Sequence, residues 1–203
     1  MSASADVMPL YSSAINKQTI GFLQVPKNFN VYAYPRLDAS VLDVVNVERY
    51  DIKFKQYSIE PQEMYAVQLM DKGYEFCMVV DIQDDWYKIL YDKTNSKYGW
   101  VKPQNNTDFH SLRDFYSFYG KKDGLYYMKN VDYRKRGIYS GAYQTSQKID
   151  GLTLVKSVKL HKISGNWALV TIVDIDSKPK IGYIRWREDD GTILLFPKLD
   201  RYK

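Results

Sequence analysis

The sequence predicts a mostly β protein built from two small units in tandem, and three observations support this. The chain has 19 Tyr, 8 Phe and 4 Trp among 203 residues, and aromatic and β-branched residues favour strands. Its apolar runs are short, often alternate with polar residues, and are separated by turn-forming residues. A hairpin pattern that begins with tryptophan also occurs twice, at Trp86 and Trp167, and an internal period of this size indicates two copies of one unit.

Composition limits the class of protein further. The single cysteine cannot form a disulfide within the chain, so packing alone must stabilise the fold. No run approaches the roughly 18 apolar residues of a membrane helix, so no membrane span is expected. The net charge of +5 gives a mild preference for anionic partners and falls short of a nucleic-acid-binding signature.

Residues 1–19 are predicted to be a flexible N-terminal arm, because they show no strong hydrophobic period. They contain no basic segment followed by an apolar one, so no signal peptide is expected there. This composition fits an exported protein whose signal has been removed, and it fits a cytoplasmic protein equally well.

The first unit is predicted to span residues 20–104. Alternating runs indicate strands at 20–25, 29–34, 41–45, 64–70, 74–80, 86–91 and 98–101. Asp-Lys-Gly at 71–73 is a good hairpin turn between two of these strands. Residues 46–65 are polar and irregular, and we interpret them as an insertion.

Residues 105–124 are predicted to form a linker with a short helix at about 109–119, because apolar side chains recur there at helical spacing. Thr107 or Asp108 is the expected N-cap. Gly120 lies where a glycine commonly ends a helix.

The second unit is predicted to span residues 125–203 and to repeat the pattern of the first. Strands are indicated at 125–128, 136–139, 152–160, 167–173, 181–186 and 192–196. The turns between the later strands are Ser-Gly-Asn at 164–166 and Asp-Asp-Gly at 189–191.

The repeated hairpin has a turn, a tryptophan, a polar tip and then glycine, an aromatic residue and a branched residue. Its defining residues are Trp86, Gly99 and Trp100 in the first copy and Trp167, Gly182 and Tyr183 in the second. The glycine allows another backbone to approach closely. The aromatic residue after it and the branched residue that follows point to opposite faces of the sheet.

This hairpin resembles the bacterial SH3-like family, known as SH3b. Residues 30–35 (Asn-Val-Tyr-Ala-Tyr-Pro), followed by 39–42, are similar to the opening segment of that family, with Tyr32 in place of the usual Arg. The second copy has no such opening, since residues 130–134 keep only its Asn-Val.

The resemblance covers residues 20–103 and 125–200. It implies two tandem SH3-like small β-barrels joined by a short helical linker. It also implies a non-catalytic binding protein of the bacterial cell envelope that contacts peptidoglycan, its peptide stems or an anionic wall polymer. Such a protein would be periplasmic, lipid-anchored or secreted, provided that an export signal has been removed.

Catalytic patterns are missing from the sequence, so we predict no enzyme activity and no cofactor. It contains no phosphate-binding glycine loop, no nucleophile elbow, and no His-Glu-x-x-His or Cys-x-x-Cys pattern. Cys77 lies in an apolar run and is expected to be buried. His110 and His161 have no metal-ligand spacing, and the paired aspartates fall in predicted turns.

Charge is distributed unevenly, and this selects the candidate binding residues. Residues 1–120 carry 12 basic and 15 acidic side chains, whereas residues 121–203 carry 17 and 9. Basic residues beside aromatic rings can hold a charged polymer, since the cations bind its anionic groups and the rings stack. The candidate residues are Tyr133, Arg134, Arg136, Tyr139, Tyr143, Arg185, Trp186 and Arg187.

The expected partner is a cell-wall glycan or peptide, or another envelope protein. Two other functions stay open. The chain can be an interaction scaffold or accessory subunit, because tyrosine-rich faces also suit protein partners. Single-stranded nucleic-acid binding is a less favoured alternative, and it predicts affinity that falls steeply with salt.

Overall fold

The computed structural model describes residues 15–26, 28–46, 64–69, 74–105, 107–128, 131–152, 155–174 and 178–199. These residues form two compact units, of which the first ends at Leu112 and the second begins at Arg113. The described chain is mostly β, as the sequence predicts, with one sheet in each unit and a short helical segment.

The first unit contains eight strands: β1 (Gly21–Val25), β2 (Asn28–Tyr32), β3 (Val41–Asn46), β4 (Tyr65–Leu69), β5 (Tyr74–Gln83), β6 (Trp86–Asp92), β7 (Lys97–Val101) and β8 (Asp108–Ser111). All their pairings are antiparallel, in the order β3-β2-β7-β6-β5-β1-β8, and β4 also pairs with β5. Alternate side chains of β6, such as Ile89 and Tyr91, face the core, where Leu23, Val31 and Cys77 are also buried.

The helical segment consists of α1 (Leu112–Phe115), a π-helical turn (Tyr116–Gly120) and α2 (Lys121–Asp123). The second unit then has seven strands: β9 (Leu125–Tyr127), β10 (Gly137–Tyr139), β11 (Lys148–Gly151), β12 (Val155–Ser164), β13 (Trp167–Asp174), β14 (Lys180–Arg185) and β15 (Leu195–Pro197). A 3-10 helix, Tyr133–Lys135, precedes β10. The strand order is β11-β10-β14-β13-β12-β9-β15.

The two sheets have the same strand order when β1, β2, β3, β5, β6, β7 and β8 are matched with β9 to β15 in turn. Strands β5 and β12 are both ten residues long, and their registers shift at the same place, after Val79 and after Leu160. The turns that follow both have a residue of positive φ, 53° at Asp84 and 56° at Gly165. The correspondence therefore extends well beyond the tryptophan hairpins.

The strand paths stay open within the described residues. The first path ends at β3 and β8, and the second ends at β11 and β15. Neither sheet closes on itself by hydrogen bonding in the described ranges.

The second unit has a counterpart of the opening segment, although the sequence predicts none. It lies further along the chain than the Asn-Val remnant at 130–134, of which residue 130 lies outside the described residues. The loop after β2 is closed by the Ala33 amide, which donates to the Ser40 carbonyl at 2.9 Å. The loop after β10 is closed in the same way by Ser140 and Gln147 at 3.0 Å. Residues 137–148 are therefore the counterpart of the first opening.

The helix predicted at about 109–119 begins and ends later. Phe109 lies in β8, opposite Leu23 of β1, and its ring stacks on Tyr87 with centroids 5.1 Å apart. Gly120 has φ −67° and continues the helix. Gly124, at φ +85°, ends it, and its amide donates to the Gly120 carbonyl at 2.9 Å. Strand pairing and core packing therefore outweigh the helical spacing of the apolar residues.

The predicted arm and insertion are only partly described. Residues 1–14 lie outside the described residues, but Asn16 donates from Nδ2 to the Tyr98 hydroxyl at 2.9 Å and Thr19 is buried. The chain from Asn16 onward therefore belongs to the first unit. Residues 47–63 of the predicted insertion also lie outside the described residues, whereas Met64 and Tyr65 are buried.

Candidate functional site

The predicted binding residues occupy three segments of the second unit. Tyr133 and Arg134 lie in the 3-10 helix, and Arg136 follows it. Tyr139 ends β10, and Tyr143 lies in the loop after it. The remaining three are Arg185, at the end of β14, and Trp186 and Arg187 just beyond it.

Trp186 is a core residue, which corrects its assignment as a ligand contact. Its side chain is 3% exposed, and its Nε1 donates to the Gly165 carbonyl at 2.9 Å. Its ring packs against Tyr116 with centroids 4.4 Å apart. A buried indole whose N–H is already bonded has no surface to offer a ligand.

Carboxylates neutralise much of the predicted basic surface. Asp132 accepts from Arg134 Nε at 2.9 Å, and the hydrogen bonds from the Arg134 side chain and backbone lower the pKa of Asp132 to about 2. Glu188 lies 2.8 Å from the Arg185 guanidinium and 3.0 Å from the Lys135 ammonium. Asp189 is a further partner of Arg185, at 3.1 Å. This surface is consequently far less cationic than its sequence indicates.

Glu188 gives this cluster a defined pH dependence. Burial alone would raise the pKa of Glu188, but hydrogen bonds from Arg185 and Lys135 outweigh it and the net shift is downward from 4.5. A depressed folded-state pKa stabilises the fold above the unfolded pKa, and this contribution is lost as the pH falls through the folded value.

We therefore expect Glu188→Gln to lose about 1 kcal/mol of stability at pH 7, in the range of surface ion pairs. The loss should diminish as the pH is lowered below about 4.5. Urea unfolding of both proteins between pH 3 and pH 7 measures this difference. A constant difference across that range would contradict the prediction.

A cluster of tyrosine, tryptophan and a cation occurs at the same place in both units. In the second unit, the Tyr139 ring meets the Trp167 ring edge-on with centroids 5.3 Å apart, and the Arg185 guanidinium lies 5.2 Å from the Trp167 centroid. We call this set, and its counterpart in the first unit, the aromatic–cation clusters.

In the first unit the aromatic–cation cluster consists of Tyr32, Trp86 and Lys102. The two rings are 5.4 Å apart and perpendicular, and Lys102 Nζ lies 5.4 Å from the Trp86 centroid. Lys102 also forms an ion pair with Asp85. Local sequence does not reveal this cluster, although the cation follows the motif glycine by three positions in both copies, as Lys102 after Gly99 and Arg185 after Gly182.

The outer faces of the two sheets, meaning the sides opposite the core, differ beside these clusters. Trp100 stands opposite both Tyr32 and Lys88 in the first sheet, and Lys88 Nζ is 5.8 Å from the Trp100 centroid. In the second sheet, Tyr183 stands opposite Tyr139 and Leu169. These cross-strand neighbours form one row of three side chains in each sheet. The row therefore ends in a cation, Lys88, in the first unit and in an apolar side chain, Leu169, in the second.

The loops that begin at the clusters each present one exposed tyrosine. Tyr34, in the loop after β2, is 63% exposed, and Tyr143, in the loop after β10, is 59% exposed. Each ring is therefore available to a ligand that approaches the neighbouring cluster.

The other potentially reactive side chains, Cys77, His110 and His161, are engaged within the fold. Cys77 is fully buried, and burial raises the pKa of its thiol far above its usual value. His110 lies in β8 with its Nε2 3.3 Å from Asp108, and His161 Nε2 is 2.7 Å from the Thr171 hydroxyl. Within the described ranges, no group of three His, Cys, Asp or Glu side chains is placed to hold a metal ion. No helix among those residues is long and apolar enough to cross a membrane.

Comparison with models of known protein families found no match. A search of the curated proteins also found none.

Proposed function

We propose that the chain is a non-catalytic binding protein of the bacterial cell envelope, in which two SH3-like modules bind a peptide or glycan of the cell wall. The observation that carries this proposal is the aromatic–cation cluster, which recurs with nearly equal ring distances at matching places in the two sheets. The SH3-like hairpin motif contributes the tryptophan of each cluster. The indoles are buried, with Trp86 6% and Trp167 7% exposed, so a ligand would meet the half-buried tyrosine and cation beside each indole. A cluster that is repeated in this way suits binding to a repeated polymer.

The composition of the clusters favours a peptide or glycan over a strongly anionic polymer. The half-buried tyrosines of the clusters, and the exposed Tyr34 and Tyr143 in the loops beside them, offer rigid apolar surface together with polar atoms, which suits sugars and peptides. The cations beside the tryptophans are already paired with carboxylates, Lys102 with Asp85 and Arg185 with Glu188. Their charge is therefore largely balanced before any ligand arrives.

Binding of the full chain to purified bacterial sacculi tests this proposal. We expect the double variant Tyr34→Ala and Tyr143→Ala to bind about tenfold more weakly, since exposed aromatic side chains commonly dominate binding energy. The matched control is Phe118→Ala, because Phe118 is 60% exposed and lies in the helical segment, away from both loops in sequence.

Failure of the unaltered chain to bind sacculi would overturn the proposal, as would an equal loss in the Phe118 control. The salt dependence separates the nucleic-acid alternative. A steep fall in affinity for an oligonucleotide between 50 and 200 mM salt, with no binding to sacculi, would favour that alternative.

A scaffold function is the second candidate, and the edge strand β3 favours it. Within the described residues β3 pairs only with β2. Its side chains Val41, Leu42 and Val44 are 46%, 47% and 64% exposed. An apolar edge strand can accept a strand from another protein. Co-purification of one stoichiometric envelope protein that is lost in Val44→Lys, with no binding to sacculi, would support this function instead.

A further inference from the structure

The outer face of the first sheet is partly covered by the start of the same unit. Met78 of β5 stands opposite Leu90 of β6, and Leu90 stands opposite Tyr98 of β7, so these side chains form a row across that face. The Asn16 amide donates to Met78 Sδ at 3.4 Å, and Asn16 Nδ2 donates to the Tyr98 hydroxyl. Met78 and Leu90 are buried, although they lie on the side away from the core.

The matching row of the second sheet is exposed. Lys159 of β12 stands opposite Thr171 of β13, and Thr171 stands opposite Ile181 of β14. Ile181 directly precedes the motif glycine of its copy, as Tyr98 does in the first, so the two rows correspond. The Ile181 side chain is 68% exposed, and Lys159 is exposed as well. The second unit therefore presents to solvent the place that is covered in the first.

The segment before the first strand of each unit explains this difference. In the first unit, residues 15–18 lie against Leu90 on the outer side of the sheet. In the second unit that segment is helical and lies on the core side, because a methyl group added at Gly120 would be 2.9 Å from the buried Leu160. Tyr116 of the same segment packs against the core residue Trp186. The helical segment thus fills the core and leaves the outer row open.

The exposed row is bordered by cations that the described residues leave without a counter-charge. Lys162 stands opposite Leu169 in the neighbouring row, so it lies on the same face as Lys159. Both lysines are exposed, and neither forms an ion pair within the described ranges. In the first sheet, the position that matches Lys162 holds Asp81, opposite Lys88. The basic character therefore belongs to the second unit and is not part of the shared motif.

We infer that the second unit has a docking surface for an acidic, extended peptide segment of a partner protein. This surface, which we call the lysine face, consists of Lys159, Lys162, Thr171 and Ile181. The first unit favours a polypeptide as the occupant, because residues 15–18 of the chain itself cover the matching row there. The lysines complement carboxylates, and the isoleucine gains from being covered by an apolar side chain.

The inference goes beyond the proposed function, since the lysine face includes neither the loop tyrosines nor the aromatic–cation clusters. A segment that carries acidic residues on both sides of an apolar one satisfies the charge and the apolar surface together. In an extended peptide, every second side chain points to the same side. The sequence Glu-Glu-Ile-Glu-Glu therefore presents one isoleucine between two glutamates to the lysine face.

Nuclear magnetic resonance titration of the full, ¹⁵N-labelled chain tests the lysine face, because it measures affinity and locates the bound peptide. The probe is acetyl-Glu-Glu-Ile-Glu-Glu-amide, and its controls are the same peptide with Gln for each Glu and with Gly for Ile. We expect the largest amide shifts at residues 159–162, 171 and 181. We expect both control peptides to bind at least about tenfold more weakly, as for lost charged hydrogen bonds or lost apolar burial.

A pair of double variants separates the lysine face from general positive charge. Lys159→Gln with Lys162→Gln should weaken binding of the acidic peptide at least about tenfold. The matched control is Arg113→Gln with Lys121→Gln, which removes the same charge from exposed positions of the helical segment. We expect this control to bind the peptide as the unaltered chain does.

Ile181→Ser separates a binding role from a structural one. The side chain is mostly exposed, so its replacement should leave the urea midpoint of unfolding unchanged. The same variant should weaken binding of the acidic peptide severalfold. A lowered midpoint with unchanged binding would assign Ile181 to the fold and overturn its part in the lysine face.

Several other outcomes would overturn the inference. They are equal binding of the acidic peptide and its glutamine form, shifts confined to residues outside the lysine face, or an equal loss in the Arg113 and Lys121 control. Tighter binding of an oligothymidylate at the same residues and physiological salt would assign this face to nucleic acid instead. Sacculi test the proposed function separately, because the Lys159 and Lys162 double variant should bind them as the unaltered chain does.

Discussion

Replacement of Trp186 by alanine is expected to destabilise the second unit by about 3–5 kcal/mol, as for other large core aromatics. The side chain is almost fully buried and packs against Tyr116, whose hydroxyl donates to the Leu195 carbonyl at 2.6 Å. The substitution also leaves the Gly165 carbonyl without its indole donor. Loss of packing and loss of a hydrogen bond therefore act together.

Hydrogen exchange followed by mass spectrometry measures this effect unit by unit, because peptides of residues 15–112 provide the internal reference. We expect faster exchange throughout β13 and β14 in Trp186→Ala and much less in Trp186→Phe, which keeps most of the apolar volume. Unchanged exchange rates together with weakened ligand binding would contradict the core assignment and indicate that Trp186 contacts the ligand.

The second large effect is expected at the motif glycines. A methyl group added at Gly182 would lie 2.8 Å from the Tyr139 carbonyl oxygen and 2.7 Å from Ile138 Cγ1. At Gly99 the same addition would collide with Val31. We expect Gly182→Ala and Gly99→Ala each to cost about 2–3 kcal/mol in its own unit, because overpacking displaces neighbouring backbone or core side chains.

Gly151→Ala is the matched control for these glycine variants. Gly151 also lies in a strand, but the nearest atom to its added methyl group is Lys148 Nζ at 3.8 Å. We expect its free energy of unfolding to change by less than about 0.5 kcal/mol. Chemical denaturation of all three variants compares their free energies of unfolding. A Gly182→Ala protein as stable as the Gly151→Ala control would contradict the close approach of Tyr139 and Ile138 to Gly182.

The strands of the tryptophan hairpins could be predicted well from sequence, because their signals are local. Alternating side chains, polar tips and the motif glycines specify β6 with β7 and β13 with β14. The duplicated pattern also leads to the tryptophans of both clusters. The cations Lys102 and Arg185 follow their glycines at equal spacing, but their position over the indole depends on the pleat of a folded sheet.

The features that local sequence does not reveal depend on contacts between residues that are distant in the chain. Phe109 has helical spacing to later apolar residues, but pairing with β1 places it in a strand. Glu188 and Asp189 are typical turn residues, and only the folded chain brings Glu188 to Lys135, 53 positions earlier. Trp186 follows a strand that ends in arginine, and nothing local distinguishes an indole in the core from one on the surface.

The opening of the second copy escapes prediction for a different reason. Val31 and Ile138 are both buried, and a half-buried tyrosine follows each of them. The residues after these tyrosines differ, since Ala-Tyr-Pro follows Tyr32 and Ser-Gly-Ala follows Tyr139. Equal loop length and a buried small residue near the loop end, Ala39 or Ser146, preserve the shape without preserving the sequence.

The exchange of Lys88 for Leu169 at matching positions has a consequence for selectivity. An ammonium group must shed its hydration when an apolar moiety covers it, whereas a leucine gains from the same cover. An apolar moiety that binds favourably beside Leu169 is consequently expected to bind less favourably beside Lys88. One covalent chain thus combines two unlike preferences, and it discriminates best in favour of a molecule that satisfies both at once.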